Sequence, residues 1–132
     1  MEDPTIQKIN DYIDEFFFME KGDLISYPDD NIALDKKSTL SKIGLKHIVE
    51  SRKDDHYSAK EIKDSASRVL QVMKYPELDM PNTNKKYPHS RINGKAYPQE
   101  GRALLVIYQL DRGIRIVYNF YYRDINRFRR MR

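Results

Sequence analysis

Apolar residues recur at helical spacing in the first half of the chain and at a spacing of two in the second. Asp3-Pro4 supplies a cap followed by proline at the first helical position. Ile6, Ile9, Ile13, Phe16 and Phe17 then share one side of a helix that Lys21-Gly22 stops. Leu24 to Pro28 reads as a short extended piece and Asp29-Asp30-Asn31 as a turn. A second helix is expected from about Ser38 to Arg52 through Leu40, Ile43, His47 and Ile48, with Gly44 as a candidate break. The third is the best defined. Ser58-Ala-Lys-Glu61 forms a capping box, Ile62, Ala66, Val69, Leu70 and Met73 make one stripe, and Pro76 ends it.

Beyond residue 80 the reading changes to strands. Asn93-Gly94, flanked by Pro88 and Pro98, carries the signal of a tight hairpin, short or peripheral because neither proline can donate to a ladder. Arg102–Leu110 and Ile114–Tyr122 are strong β-formers joined by Asp111-Arg112-Gly113. Pairing Leu110 with Ile114 puts Leu104, Val106, Tyr108, Ile116, Tyr118 and Phe120 on a core face. The mixed opposite face collects Ile107, Gln109, Arg115, Val117, Asn119, Tyr121 and Arg123, and a one-residue bulge would exchange some of these positions. Helices followed by an antiparallel sheet make an α+β domain. Four Tyr-Pro pairs, at 27–28, 75–76, 87–88 and 97–98, look like extended stops.

Charge changes the picture from architecture to partners. Residues 1–35 carry two lysines and ten acids, whereas residues 36–132 carry 22 Lys/Arg and ten acids. The last ten residues hold five arginines against Asp124 alone. Folding does not require such a split, so a phosphate backbone or an acidic protein is the expected partner of the basic part. The tail residues Arg127, Arg129, Arg130 and Arg132 read either as a short helix whose cations complement its C-terminal dipole or as a solvated end. At 132 residues and 39% apolar content the chain has material for one core. No apolar run reaches bilayer length, so no membrane association is expected. Phe16-Phe17-Phe18 sits among acids without a basic n-region, which argues against a signal peptide. The absence of cysteine excludes disulfides, thiolate catalysis and Cys-based zinc sites. This composition suits a cytoplasmic protein, and equally a toxin domain delivered into a target cell.

The candidate chemistry is metal-free and needs no cofactor. There is no His-x-x-x-His pair, no Gly-rich phosphate loop and no nucleophile elbow. Asp29-Asp30 and Asp54-Asp55 read as turn and capping residues. His47 follows Ile43 and Leu40 at helical spacing, which suits a packing histidine. Lys46, Arg52 and Lys53 around it suit a phosphate and an imidazole tuned near neutrality. His56 reads as a solvated loop residue before the capped helix. His89 and Arg91 alternate to one side of the expected hairpin, a plausible phosphate-handling pair. Histidine, arginine, lysine and tyrosine suffice for RNA cleavage by 2′-hydroxyl attack, in which a base takes the hydroxyl proton, cations hold the extra negative charge and an acid protonates the leaving oxygen. Tyrosines beside the cations suit stacking of splayed bases.

The run Ile43-Gly-Leu-Lys46-His47-Ile48, the capped helix closing at Tyr75-Pro76, and strands ending in Leu-Leu-Val-Ile and Ile-Val-Tyr-Asn-Phe resemble the compact RNase superfamily of barnase, EndoU, colicin and RelE-type toxins, above all its phage-borne and polymorphic-toxin variants. The similarity covers about residues 24–124. It implies N-terminal helices packed on an antiparallel sheet of about four strands, with residues 1–22 an acidic helix and 23–132 the RNase-like domain. It implies a metal-independent endoribonuclease, often tRNA-directed, with RNA and an immunity or antitoxin protein as partners. His47 would be the catalytic histidine with Lys46 beside it, and His89 and Arg91 would hold the phosphate. Where the family's last strand brings Ser or Thr, this chain has Tyr118, Asn119 and Tyr121, so Asn119 and Tyr121 complete the catalytic set. Lys46, Arg52, Arg115, Arg123, Arg127, Arg129 and Arg130 form the expected RNA-binding set. The alternative is a binding module without catalysis.

Overall fold

The computed structural model describes residues 31–35, 38–85 and 88–132, so the expected helix over residues 3–21 and the extended piece at 24–28 lie outside the described residues. The chain runs β1 (Asn31–Asp35), β2 (Ser38–Ser41), α1 (Lys42–Asp54), α2 (Ala59–Lys74), β3 (Leu78–Pro81), β4 (Ser90–Tyr97), a 3-10 turn (Pro98–Glu100), β5 (Arg102–Asp111), β6 (Ile114–Asp124) and α3 (Ile125–Met131). The class is α+β. The strands form a single sheet in the order β1-β2-β6-β5-β4-β3. It is mixed rather than antiparallel, because β2 runs parallel to β6, with Leu40 opposite Val117.

Two strands therefore precede α1, where a helix from Ser38 was expected. Leu40, Ile43 and His47 mimic a helical period, but Ser38, Thr39 and Leu40 are all buried and paired to β6 before the helix starts at Lys42. Gly44 does not break α1, which runs unbroken to Asp54. α2 forms as its sequence indicates. The Ser58 hydroxyl accepts from Glu61 N at 3.1 Å while the Glu61 carboxylate accepts from Ser58 N at 3.2 Å, satisfying two of the helix's orphan donors.

Both faces of the sheet centre are covered. On one, Ile48 and Val49 of α1 and Ile62, Val69 and Val72 of α2 pack with Leu40, Leu104, Val106, Tyr108, Val117 and Phe120. On the other, Phe128 of α3 packs with Leu78, Ile92, Ala103, Leu105 and Ile107. Two-sided burial is why residues 104–107 are continuously apolar instead of alternating.

Two strand details differ from expectation. The β5–β6 turn has two residues, Arg112 and Gly113, at φ 53° and 82°, and pairs Leu110 with Arg115, because positive φ at both positions matches the strand twist. A bulge opposite Ile107/Tyr108 leaves Tyr118 as the extra residue. It delivers Val117 to the helix-side core, excludes Ile116 from it and leaves Tyr118 43% exposed.

Asn93-Gly94 is not a turn. Both residues lie inside β4, paired to β3 and β5. The glycine is needed because α3 comes too close for a side chain: a Cβ there would lie 2.6 Å from Phe128 Cε2 and 2.9 Å from Leu105 Cδ2. A strand glycine ordinarily costs about 0.5–1 kcal/mol relative to alanine, but here both obstructing side chains are fully buried and cannot yield. Gly94→Ala is expected to destabilise by about 1–3 kcal/mol, as overpacking does. Urea denaturation measures it, and an unchanged or raised midpoint would count against this packing.

Candidate nucleic-acid interface

Most of the arginines in the described residues are committed to internal partners, and this decides where a ligand could bind. Arg68 donates to Glu100 through both terminal nitrogens (2.6 and 3.1 Å) and to the Tyr122 hydroxyl (2.9 Å), with its guanidinium 4.0 Å from the Tyr97 ring centre. Arg102 lies 3.6 Å from the Tyr122 ring centre and donates to Glu61 and Glu100, each at 2.8 Å. This Arg–Tyr–Glu layer ties α2 to the 3-10 turn, the start of β5 and the end of β6. The hydrogen bond from Arg68, reinforced by Arg102, holds the Glu100 carboxyl at about 2. The backbone N–H of Ser58, with Arg102, lowers Glu61. Burial raises Tyr57, Tyr97 and Tyr122, so none of these phenols titrates near neutrality.

Arg52 is committed in another way. β2 leaves β6 after Val117, so the outer edge of β6 needs other partners. Arg52 Nη1 donates to the Phe120 carbonyl at 3.2 Å, and Asn119 Oδ1 accepts from Phe120 N at 2.9 Å. The Tyr57 hydroxyl accepts from Tyr122 N at 2.8 Å and donates to Tyr122 O at 3.4 Å. Arg52 is 8% exposed, pairs with Asp55 at 3.1 Å, and keeps a buried Nε without an acceptor. Arg115 turns to the helix side of the sheet, donating to Met73 O at 3.0 Å, and Arg91 is held by Asp79 at 3.0 Å.

The expected catalytic group is not assembled by the described residues. His47 is exposed on α1, which packs on β2 and β6. His89 is exposed at φ 67° ahead of β4, and Arg91 lies in β4. Strand β5 and helix α2 stand between them and α1. With Asn93-Gly94 inside a strand, the hairpin to whose one side His89 and Arg91 were expected to alternate does not form. The side chain of Lys46 lies outside the described residues.

What the structure does bring together is one face of β6 and α3. The register sets Asn119, Tyr121 and Arg123 opposite Ile107, Leu105 and Ala103, on the α3 side. Two guanidinium groups lie near the Tyr121 ring, Arg52 at 5.6 Å and Arg123 at 5.9 Å from its centre. Arg123 is half-buried, and its hydrogen-bond acceptor among the described residues is the Met131 sulfur at 3.4 Å, a weak one. α3 is no frayed tail. Asp124 caps it by accepting from Asn126 N and Arg127 N, and Ile125 and Phe128 are buried. Arg127, Arg129 and Arg130 stand exposed on it without an ion-pair partner among the described residues, while Arg132 reaches Glu77 at 3.6 Å. The alternation of β6 and the terminal arginines announced this group. Nothing in the sequence announced the Arg68–Glu100–Arg102 layer or the Met131 contact, which join distant segments.

The chain matches no protein-family model, no curated protein and no solved structure.

A carboxyl whose folded value is depressed contributes stability above its ordinary 4.5 and loses it as the pH falls towards 2. Glu100→Gln is therefore expected to be less stable than the wild type near neutral pH, by on the order of 1 kcal/mol or less after solvent screening. The gap should close between about pH 4.5 and 2. Thermal denaturation across that range checks it, and a gap independent of pH would remove the Arg68–Glu100 pair from the account.

Proposed function

We propose that this domain binds nucleic acid, RNA first, along the face formed by β6 and α3. The observation that carries this reading is Arg123: a half-buried guanidinium with a sulfur for its acceptor, next to three exposed arginines on a helix fixed by Phe128. Phosphate oxygens supply stronger acceptors than the one this cation has among the described residues. Docking α3 on the sheet fixes its arginines in one array, so less conformational freedom is lost on binding than from a flexible tail. The resemblance to the compact RNases favours RNA over an acidic protein as the partner.

The test is the salt dependence of binding to single-stranded RNA. The slope of log affinity against log salt changes by about 0.7 for each single-strand phosphate contact. Replacing Arg127, Arg129 and Arg130 together by glutamine is expected to flatten the slope by about 2 and to leave the unfolding midpoint unchanged. A slope equal to the wild type's would remove α3 from the interface.

Metal-independent endoribonuclease activity is the second reading, favoured by the exposure of His47, which leaves its ring accessible to a substrate. Arg91 is engaged by Asp79, so the phosphate would be held by other cations. The expected outcome is cleavage of total tRNA in EDTA giving cyclic-phosphate ends, abolished in His47→Ala. Binding without any cleavage by the wild type would leave the non-catalytic module.

A further inference from the structure

We infer that the β6–α3 face takes single-stranded rather than duplex nucleic acid, with one unstacked base lying on Tyr121. This rests on the nucleic-acid reading above and narrows it to a substrate class. Tyr121 is held from two sides: its strand neighbour across the ladder is Leu105, and its ring packs at the border of the core that contains Phe128. The two cations beside it differ in mobility. Arg52 is anchored by the Phe120 carbonyl and Asp55 and is nearly inaccessible. Arg123 is held by a thioether sulfur and by the ring itself.

A backbone phosphate offers Arg123 charged oxygens in place of sulfur. As the guanidinium moves to meet them, it leaves the Tyr121 ring, which a base can then cover. The exchange conserves stacking on the tyrosine while converting a weak hydrogen bond into a charge-assisted one. Arg127, four residues on, is exposed on α3 and offers a further phosphate a cation. A base inside a duplex is already stacked on both sides and has no face to offer, so the tyrosine discriminates between the two forms.

The experiment compares three probes of equal phosphate number at fixed salt: a short oligouridylate, the same ribose-phosphate chain without bases, and an RNA duplex. The wild type is expected to bind oligouridylate at least about tenfold more tightly than the baseless chain, the scale of one stacked base. Tyr121→Leu keeps apolar packing against the α3 core and is expected to abolish that preference, read as the ratio of the two affinities within the variant. Tyr121→Phe should retain it. Equal binding of the oligouridylate and baseless chains, duplex binding as tight as oligouridylate, or an undiminished preference in Tyr121→Leu would each overturn the inference while leaving nucleic-acid binding intact. Failure of all three probes to bind would remove both readings together.

Discussion

The free edge of β6 is the constraint around which this domain is arranged. β2 pairs with β6 only as far as Leu40 and Val117, and the peptide groups beyond must find partners or lie buried without them. Arg52 from the end of α1 and Tyr57 from the α1–α2 connection supply those partners. In doing so they fix where α1 ends and where α2 begins, and α2 in turn covers the helix side of β4 and β5. An unpaired edge is a template for another chain, and here side chains of the same chain seal it. The cost is visible in the unpaired Nε of Arg52.

The same arrangement sorts the arginines into two populations. On the helix side, Arg68 and Arg102 are neutralised by Glu61 and Glu100 and stacked on Tyr97 and Tyr122, so that their charge serves cohesion. On the α3 side, Arg123, Arg127, Arg129 and Arg130 have no carboxylate among the described residues. Composition alone treats these groups as one basic surplus. Their separation onto opposite faces follows from strand alternation, shifted by the bulge at Tyr118, and from α3 folding back across Gly94.

The sequence was most legible where local and tertiary demands agree. Ser58, Glu61, the stripe from Ile62 to Met73, and Pro76 all specify α2, and packing asks nothing different. The strands on either side of Arg112-Gly113 were legible for the same reason. β2 was not, because Leu40 happens to continue the spacing of α1 and its strand partner lies at the far end of the chain. Gly94 misled for a related reason. A glycine needed for close approach looks, within its own neighbourhood, the same as one needed for a turn. The site was half legible: Tyr121 and Arg123 followed from alternation, but the isolation of His47 from His89 and Arg91 depended on sheet order, which no local pattern encodes.

The parallel pairing of Ser38–Leu40 with Arg115–Val117 has a consequence for how the chain is made. An emerging polypeptide can wind α1 and α2 early, since their contacts are near in sequence. It cannot seat Leu40 until β6 has left the ribosome, because both helices and three further strands separate it from the strand that receives it. The apolar sides of both helices therefore wait uncovered until β5 and β6 follow them, and topological closure needs β6 in place.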